Sequence, residues 1–516
     1  LNCRISIPRL PPTVTAGLYA LAVFVSRFKY WKSSLFEGHA YFADADCYTR
    51  LYRVKRLLAE HALIQRFHPF ENFPDGIVVH TTALLDWLVG GLSLFLHLLP
   101  LQAVQDHPLD WAGILIGPLL AAGTAFLLYR LLQNHEPAWQ RWLFFGSYLI
   151  NPLLIWSTSM ARPDHQNLII SLLLLAWALE LRRWEQPGLH AWAGAVWGLA
   201  LWVSLLEPLL FLAPVLLVNL VVRRREARTF WVTLLLVSLP LLALEGVRSE
   251  AYEKLNAPYI HNWMGTIGEL RHSTLNWWIQ YGGLIFLFPL WLLLRRKELA
   301  EPRLLIFLIS SVAAGVLVYW QQRWGYFFAG ISLFLFLLLL PRPRSVLAAG
   351  LLLALQLGPM IWWNWTEYPK ITTPEELAQL RDMAEKITPD SGALMGPWWQ
   401  SPALLYFSGA PIIGSSSHES IEGIVDTARF YTSCNFPEAE ALLKKHRVGW
   451  VLVYLPDRLY RNSEQILTGK KYDEIEMPSY SGTRLVCRRL FEHVAVPSAF
   501  RVTYVSPLFT LYHYQP

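Results

Sequence analysis

Runs of about 17 to 25 apolar residues, the length needed to cross a hydrocarbon core, recur along the chain as far as Trp363 and then stop. A chain so interrupted cannot bury all its apolar segments in one water-soluble core, and 54% of its residues are hydrophobic. The pattern predicts a mainly α polytopic membrane protein. Spanning helices are expected near 12–30, 109–132, 141–160, 167–183, 189–205, 207–222, 229–246, 276–294, 304–320, 324–340 and 345–364, about eleven in all. Arg4 and Arg9 precede the first run and no small-residue cleavage site follows it, so that run reads as a signal anchor.

The net charge of +6 becomes informative once it is mapped onto the connections. With a cytoplasmic N-terminus, every second connection should be rich in Lys and Arg. Arg130 and Arg141, Arg182 and Arg183, the run Arg223, Arg224, Arg225 and Arg228, then Arg295, Arg296, Lys297 and Arg303, and finally Arg342 and Arg344 all fall on one side. The excess belongs to membrane topology, and no nucleic-acid partner is implied. The opposite short connections hold almost nothing basic except Arg162 and Arg323, which are therefore candidates for a functional role.

Counting the apolar segment from Thr81 to Leu99 as a span would invert this pattern. It is placed instead along the outer surface as an amphipathic helix, its apolar face in lipid and Asp86 toward the headgroups. The expected organisation is a transmembrane domain over 1–364, with outer loops at 31–108 and 247–275, followed by a soluble domain over 365–516. In the latter, Glu375 to Ile387 and Glu438 to His446 read as helices. Trp450 to Leu455, Leu485 to Leu490 and Phe500 to Tyr514 read as strands, which makes an α/β domain. The localisation expected is a bacterial inner membrane with this domain in the periplasm. Cys3, Cys47, Cys434 and Cys487 have no metal-type spacing; Cys434 and Cys487 would be either a periplasmic pair or two buried thiols.

Four outer segments carry residues suited to chemistry. Asp44 and Asp46 lie just past the first span, where paired carboxylates suit a hard divalent cation on phosphate oxygens, although Asp there also caps helices. Arg162-Pro163-Asp164-His165-Gln166 precedes the fourth span; Asp164 is an oxygen ligand or an N-cap, and His165 or Gln166 can add a neutral donor. Thr266-Ile267-Gly268-Glu269 supplies a loop carboxylate. Gln321-Gln322-Arg323-Trp324-Gly325-Tyr326 supplies a guanidinium at the membrane boundary, whose planar fork suits a phosphate.

Together these segments resemble, in order and spacing, the catalytic subunit of oligosaccharyltransferases, within the GT-C superfamily of polyprenol-dependent glycosyltransferases. Asp46, Asp164, Glu269 and Arg323 stand where that family has its first-loop Asp, its D-x-E/H motif, its TIxE-type glutamate and its membrane-boundary Arg. Phe73-Pro74-Asp75-Gly76 is similar to the YPxG stretch, and Pro397-Trp398-Trp399-Gln400-Ser401-Pro402 to a variant of WWDYG. Two positions depart from the pattern. Gln166 replaces an acid or histidine, and Gln400 replaces the Asp that reads the hydroxyl of an N-x-S/T acceptor, where an amide is a poorer partner than a carboxylate.

The resemblance implies a GT-C fold and transfer of a glycan from a polyprenyl (pyro)phosphate to a periplasmic protein or glycolipid acceptor at the membrane lipid surface, with inversion at the anomeric carbon. It implies Mn2+ or Mg2+ on Asp46, Asp164 and His165 or Gln166, and a donor-phosphate contact from Arg323. Asp46 and Glu269 would act on the acceptor nucleophile, and Trp398, Trp399 and Gln400 would touch the acceptor; Asp44 and Arg162 are secondary candidates. Two rivals are a GT-C transferase that moves a monosaccharide from a polyprenyl monophosphate to lipid A, a polysaccharide or protein hydroxyls, and a lipid-linked sugar transporter. Against transport, the chain shows no repeated halves and no Gly/Pro-broken helix pair at the midplane.

Overall fold

The computed structural model describes residues 10–516 apart from 136–137, 223–226, 247, 283–291, 294–296, 298–300, 340–345, 367–372 and 479–484. The basic residues expected at 223–225, 295–296, 342 and 344, most of the 276–294 segment, and Cys3, Arg4 and Arg9 lie outside the described residues. Elsewhere the apolar runs are helices: Pro12–Ser26, Pro108–Leu132, Ala138–Ile150, His165–Arg182, His190–Val203, Leu206–Val221, Arg228–Glu245, Pro302–Trp320, Gly325–Leu339 and Val346–Thr366. The expected run 141–160 is broken in two. Pro152 has no N–H to continue the ladder, and the Asn151 side chain caps the new helix Pro152–Ser157 by accepting from Leu153 N and Leu154 N at 3.0 and 3.2 Å.

Helices His165–Arg182 and Gly325–Leu339 are buried along nearly their whole length and form the centre of the bundle. Peripheral helices turn apolar side chains outward, among them Leu235, Leu236 and Leu239 on Arg228–Glu245 and Val312 and Val316 on Pro302–Trp320. A face of that kind is stable against lipid tails and not against water. Among the described residues four helices, Pro108–Leu132, Arg228–Glu245, Pro302–Trp320 and Gln322–Leu339, are long and apolar enough to cross a membrane. The chain is a membrane protein.

Helix Leu84–His97 occupies the expected outer-surface segment, with Leu94 and Phe95 exposed. Asp86 corrects the expectation that it faces headgroups. It is 5% exposed and turned inward onto Arg50, whose Nη1 lies 2.6 Å from its Oδ1. Arg50 is itself buried, and a guanidinium left there without a carboxylate would be strongly destabilising, so the helix turns Asp86 toward the protein.

After the last apolar helix the chain builds a four-stranded sheet in the order Ala393–Met395, Val448–Tyr454, Phe509–Tyr514, Phe500–Val505. The first pair is parallel and the others antiparallel, and every residue of the central strand Val448–Tyr454 is buried. Helices Pro374–Ala384 and Phe436–Lys445 fall where helices were expected. The strand expected at Leu485 to Leu490 is instead helix Val486–Phe491. Val486, Cys487 and Leu490 are its buried residues and the two arginines between them point out, which is the spacing of one helical face and not of a strand. Cys47, Cys434 and Cys487 are free thiols; Cys434 is exposed, so neither a disulfide nor two buried thiols describes the last two.

Candidate active site

The first acidic segment owes its shape to a helix start. Asp44 is the N-cap of helix Ala45–Ala59, its Oδ1 accepting from Cys47 N at 3.1 Å, which leaves Asp46 in the first turn. The second segment is stitched to it through the backbone, Ala43 N donating to Ala161 O at 2.9 Å. Ala161 has a left-handed φ of 56°, and the turn it makes presses on helix Pro108–Leu132. A Cβ at Gly117 would lie 2.6 Å from Ser159 O, so only glycine lets the turn approach. Asp164 then caps helix His165–Arg182. The cap reading and the ligand reading of these two aspartates describe the same geometry, because each caps through one oxygen.

The third and fourth segments are also joined. Gln322 N donates to Arg271 O, and Gln322 Nε2 to His272 O, both at 3.0 Å. This pairing sets Glu269, in the turn Gly268–Leu270, beside Arg323, in the turn Gln322–Trp324. Asp44, Asp46, Arg162, Asp164, His165, Gln166, Glu269, Arg323, Trp398 and Trp399 all line one cavity of about 760 Å³. Gln400 does not line it. Gln400 is 2% exposed and donates through Nε2 to Glu376 Oε1 at 2.8 Å. Gln400→Asp would set two recessed carboxylates against each other, and is expected to cost about 1–3 kcal/mol of stability. A drop in the unfolding temperature with the cavity's ligand binding unchanged is the result that checks this.

The floor of the cavity is crowded with negative charge. Arg162, 2% exposed and sandwiched 4.7 Å from the Trp156 ring and 5.7 Å from the Tyr326 ring, places Nη2 3.7 Å from both Asp44 Oδ2 and Asp164 Oδ2. His165 Nδ1 lies 2.6 Å from Asp164 Oδ1. Burial works to raise the proton affinity of Asp164, but the His165 ring and Arg162 outweigh it and hold the carboxyl below its usual range. Asp46 behaves oppositely: its recessed position, followed by the carboxylates of Asp44 and Asp164, pushes it up to about 7, although its outer edge meets the solvent of the cavity. Ser416, on the same cavity wall, opposes the shift.

Asp46, Asp164 and the outer ring edge of His165 are donors of the kind a hard divalent cation takes, although their donor atoms do not all lie within 4.8 Å of one another in this structure. Gln166 is the weaker candidate, since its Oε1 already lies 3.4 Å from Arg162 Nη2.

Other lining residues escape sequence reasoning. His80, Ser416, His418 and Arg458 reach the cavity from places without a recognisable motif. Arg458 lies over the Trp399 ring at 5.7 Å, Trp398 packs edge-on against Trp263 at 5.7 Å, and Trp398 Nε1 donates to Asn462 Oδ1 at 3.2 Å. The Phe73-Pro74-Asp75-Gly76 stretch serves as a docking seam: Phe73 N donates to Ile412 O at 3.1 Å, and Gly423 N to Asn72 Oδ1 at 2.9 Å.

Solved structures share this fold. The oligosaccharyltransferase of Archaeoglobus fulgidus, tethered to an acceptor peptide containing the NVT sequon, aligns with a TM-score of 0.72 and 13% identity over 96% of this chain and 79% of that one. AglB of the same organism, in complex with an inhibitory peptide and a dolichol-phosphate, gives 0.69 and 13% over 87% and 70%. ArnT from Cupriavidus metallidurans, bound to undecaprenyl phosphate, gives 0.56 and 12% over 97% of each chain. The chain therefore has the GT-C fold that its motifs imply. In sequence it matches no family model and no curated protein.

Proposed function

We propose that this chain is an integral-membrane glycosyltransferase that moves a glycan from a polyprenyl phosphate or pyrophosphate to an acceptor at the outer face of a bacterial inner membrane, in the manner of an oligosaccharyltransferase. One observation carries the reading. Asp46, Asp164, Glu269 and Arg323, from four segments far apart in sequence, line a single cavity between the helical region and the sheet-bearing region. Residues 1–364 then form the membrane domain, and 365–516 a periplasmic domain that closes over it.

In the reaction, the bond between the anomeric carbon and a phosphate oxygen breaks, the lipid phosphate leaves with the electron pair, and the acceptor nucleophile bonds to the carbon and gives up its proton to a cavity carboxylate or to water. Mn2+ or Mg2+ held by Asp46, Asp164 and His165 would neutralise charge growing on the leaving oxygens. Arg323 adds a fixed positive contact to the same oxygens, and costs no reorganisation because its turn is already tied to 271–272. Arg162 holds Asp44 and Asp164 in place from behind. Glu269, with Asp46, orients or polarises the nucleophile. Trp398 and Trp399 offer flat apolar faces to a sugar ring or an acceptor.

Gln400 favours one alternative acceptor class. The residue that stands for the sequon-reading Asp bonds to Glu376 and not to the cavity. A lipid, a polysaccharide or a protein hydroxyl acceptor, with a monosaccharide donor on polyprenyl monophosphate, therefore stands as the second reading. Mass spectrometry of periplasmic glycoproteins and of lipid A, from cells with and without the gene, separates the two. An oligosaccharide missing from asparagine side chains supports the first, a single sugar missing from lipid A, a polysaccharide or protein hydroxyls the second, and an unchanged glycoconjugate profile overturns both.

A further inference from the structure

We infer that His80, His418 and Glu419 form a second cation site, for a borderline divalent metal of the zinc class, at the seam between the first outer loop and the sheet-bearing region. One donor atom from each residue lies within 4.8 Å of the others. The inference does not depend on the transfer reaction and stands apart from the oxygen-rich group around Asp46.

Glu419 is 2% exposed, in the turn His418–Ser420. Its Oε1 is saturated, accepting from His80 N at 2.8 Å and lying 2.6 Å from His80 Nδ1. Its Oε2 makes no hydrogen bond among the described residues. His418 Nδ1 lies 3.4 Å from it. His418 Nε2 lies 2.9 Å from Ala251 O, and a carbonyl can only accept, so Nε2 carries the proton and Nδ1 presents a lone pair. Two acceptors thus face each other in a recessed place. A hydrogen bond with His80 Nδ1 explains the Oε1 contact, and chain adjacency sets the His418 ring nearby, but the buried Oε2 is left facing a second acceptor without a cause.

A metal supplies the cause. Zinc bonds of about 2.0–2.1 Å at tetrahedral angles set neighbouring ligand atoms about 3.3–3.4 Å apart, the spacing found between Oε2 and Nδ1. A carbonyl behind the ligating imidazole is the usual support for such a ligand. Two imidazoles and one carboxylate make a nitrogen-rich set that suits zinc better than Mg2+ or Mn2+. The side chains of His80 and His418 retain 32% and 15% exposure, and both line the cavity, so a fourth position opens there to water or an anion. The His80 ring forms the partition between the two groups: its centroid is 4.8 Å from that of His418 and 6.5 Å from that of His165.

The test uses the full chain in detergent, with Asp46→Ala and Asp164→Ala combined to remove the oxygen-rich group, and Zn2+ alone as the probe. After dialysis, one zinc per chain should remain, and Co2+ in its place should give the visible bands of a tetrahedral ion. Adding Glu419→Gln or His418→Gln should weaken binding at least tenfold. His418→Gln leaves the Glu419 contacts to His80 intact, so it gives the reading where Glu419→Gln fails to fold. No retained zinc, or retention equal in all three proteins, overturns the inference. Either result leaves the glycan-transfer reading to its own experiment.

Discussion

Asp46→Ala and Glu269→Ala, each in purified protein reconstituted with a synthetic polyprenyl-linked glycan, should lower the single-turnover rate of transfer by about 10²–10³-fold or more. The reason lies in what each carboxylate has left to do. Asp44 and Asp164 are partly committed to capping their helices and to Arg162, whereas Asp46 spends no oxygen on its own helix and meets the cavity. Its carboxyl is pushed up to about 7 by its recessed position and by Asp44 and Asp164. A group so crowded by like charge gains from a bound cation, so its loss would remove charge stabilisation that the transition state needs. Donor affinity should change far less than the rate, because Arg323, Arg50 and Arg53 still line the cavity. A chelator should reproduce the Asp46→Ala rate in the wild type. Unchanged transfer in both variants would remove the catalytic assignment, whatever the fold.

Those carboxylates were legible in the sequence for specific reasons: Asp46 and Asp164 stand close to apolar runs, where composition changes abruptly and a charge is conspicuous, and Glu269 ends the Thr266-Ile267-Gly268-Glu269 motif. Arg162 and Arg323 stood out as exceptions to the charge pattern, and both line the cavity. His80 and Glu419 carry no such mark, since the contact between them joins residues 339 positions apart and depends on how two regions dock. Ser416 comes to the same cavity as Asp46 only through that docking. Gln400 shows the converse failure: its neighbours Trp398 and Trp399 place the motif on the cavity wall, but the direction of one side chain in a tight turn follows from Glu376 opposite it. Helix Val486–Phe491 was misread because a six-residue segment with two arginines fits either periodicity until its burial is known.

Asp86→Leu is expected to destabilise the protein by about 3–5 kcal/mol, the cost of stranding one partner of a buried ion pair. Arg50, 2% exposed, sits on the helix that begins with Asp44 and Asp46, and its Nη1 is 2.6 Å from Asp86 Oδ1 on the outer helix Leu84–His97. One turn further along, Arg53 Nη1 donates to Thr81 Oγ1 at 2.8 Å. The start of the outer helix is pinned again from below, Ala83 N donating to Glu245 Oε1 at 2.7 Å, while Arg248 pairs with that same glutamate. The site helix therefore rests on a polar layer, and loss of Asp86 leaves a guanidinium in that layer without its carboxylate. Heat inactivation in detergent should be markedly faster in Asp86→Leu. Adding Arg50→Met should restore most of the lost stability, because a well-packed apolar pair replaces a buried ionic one at little net cost. A headgroup-facing Asp86 would give the opposite result, since leucine at a lipid surface is neutral or stabilising and the second substitution would then have nothing to repair. The sign of the change in the double variant, measured against Asp86→Leu, decides between an outer helix that merely lies on the membrane and one that holds the acidic floor of the cavity in register.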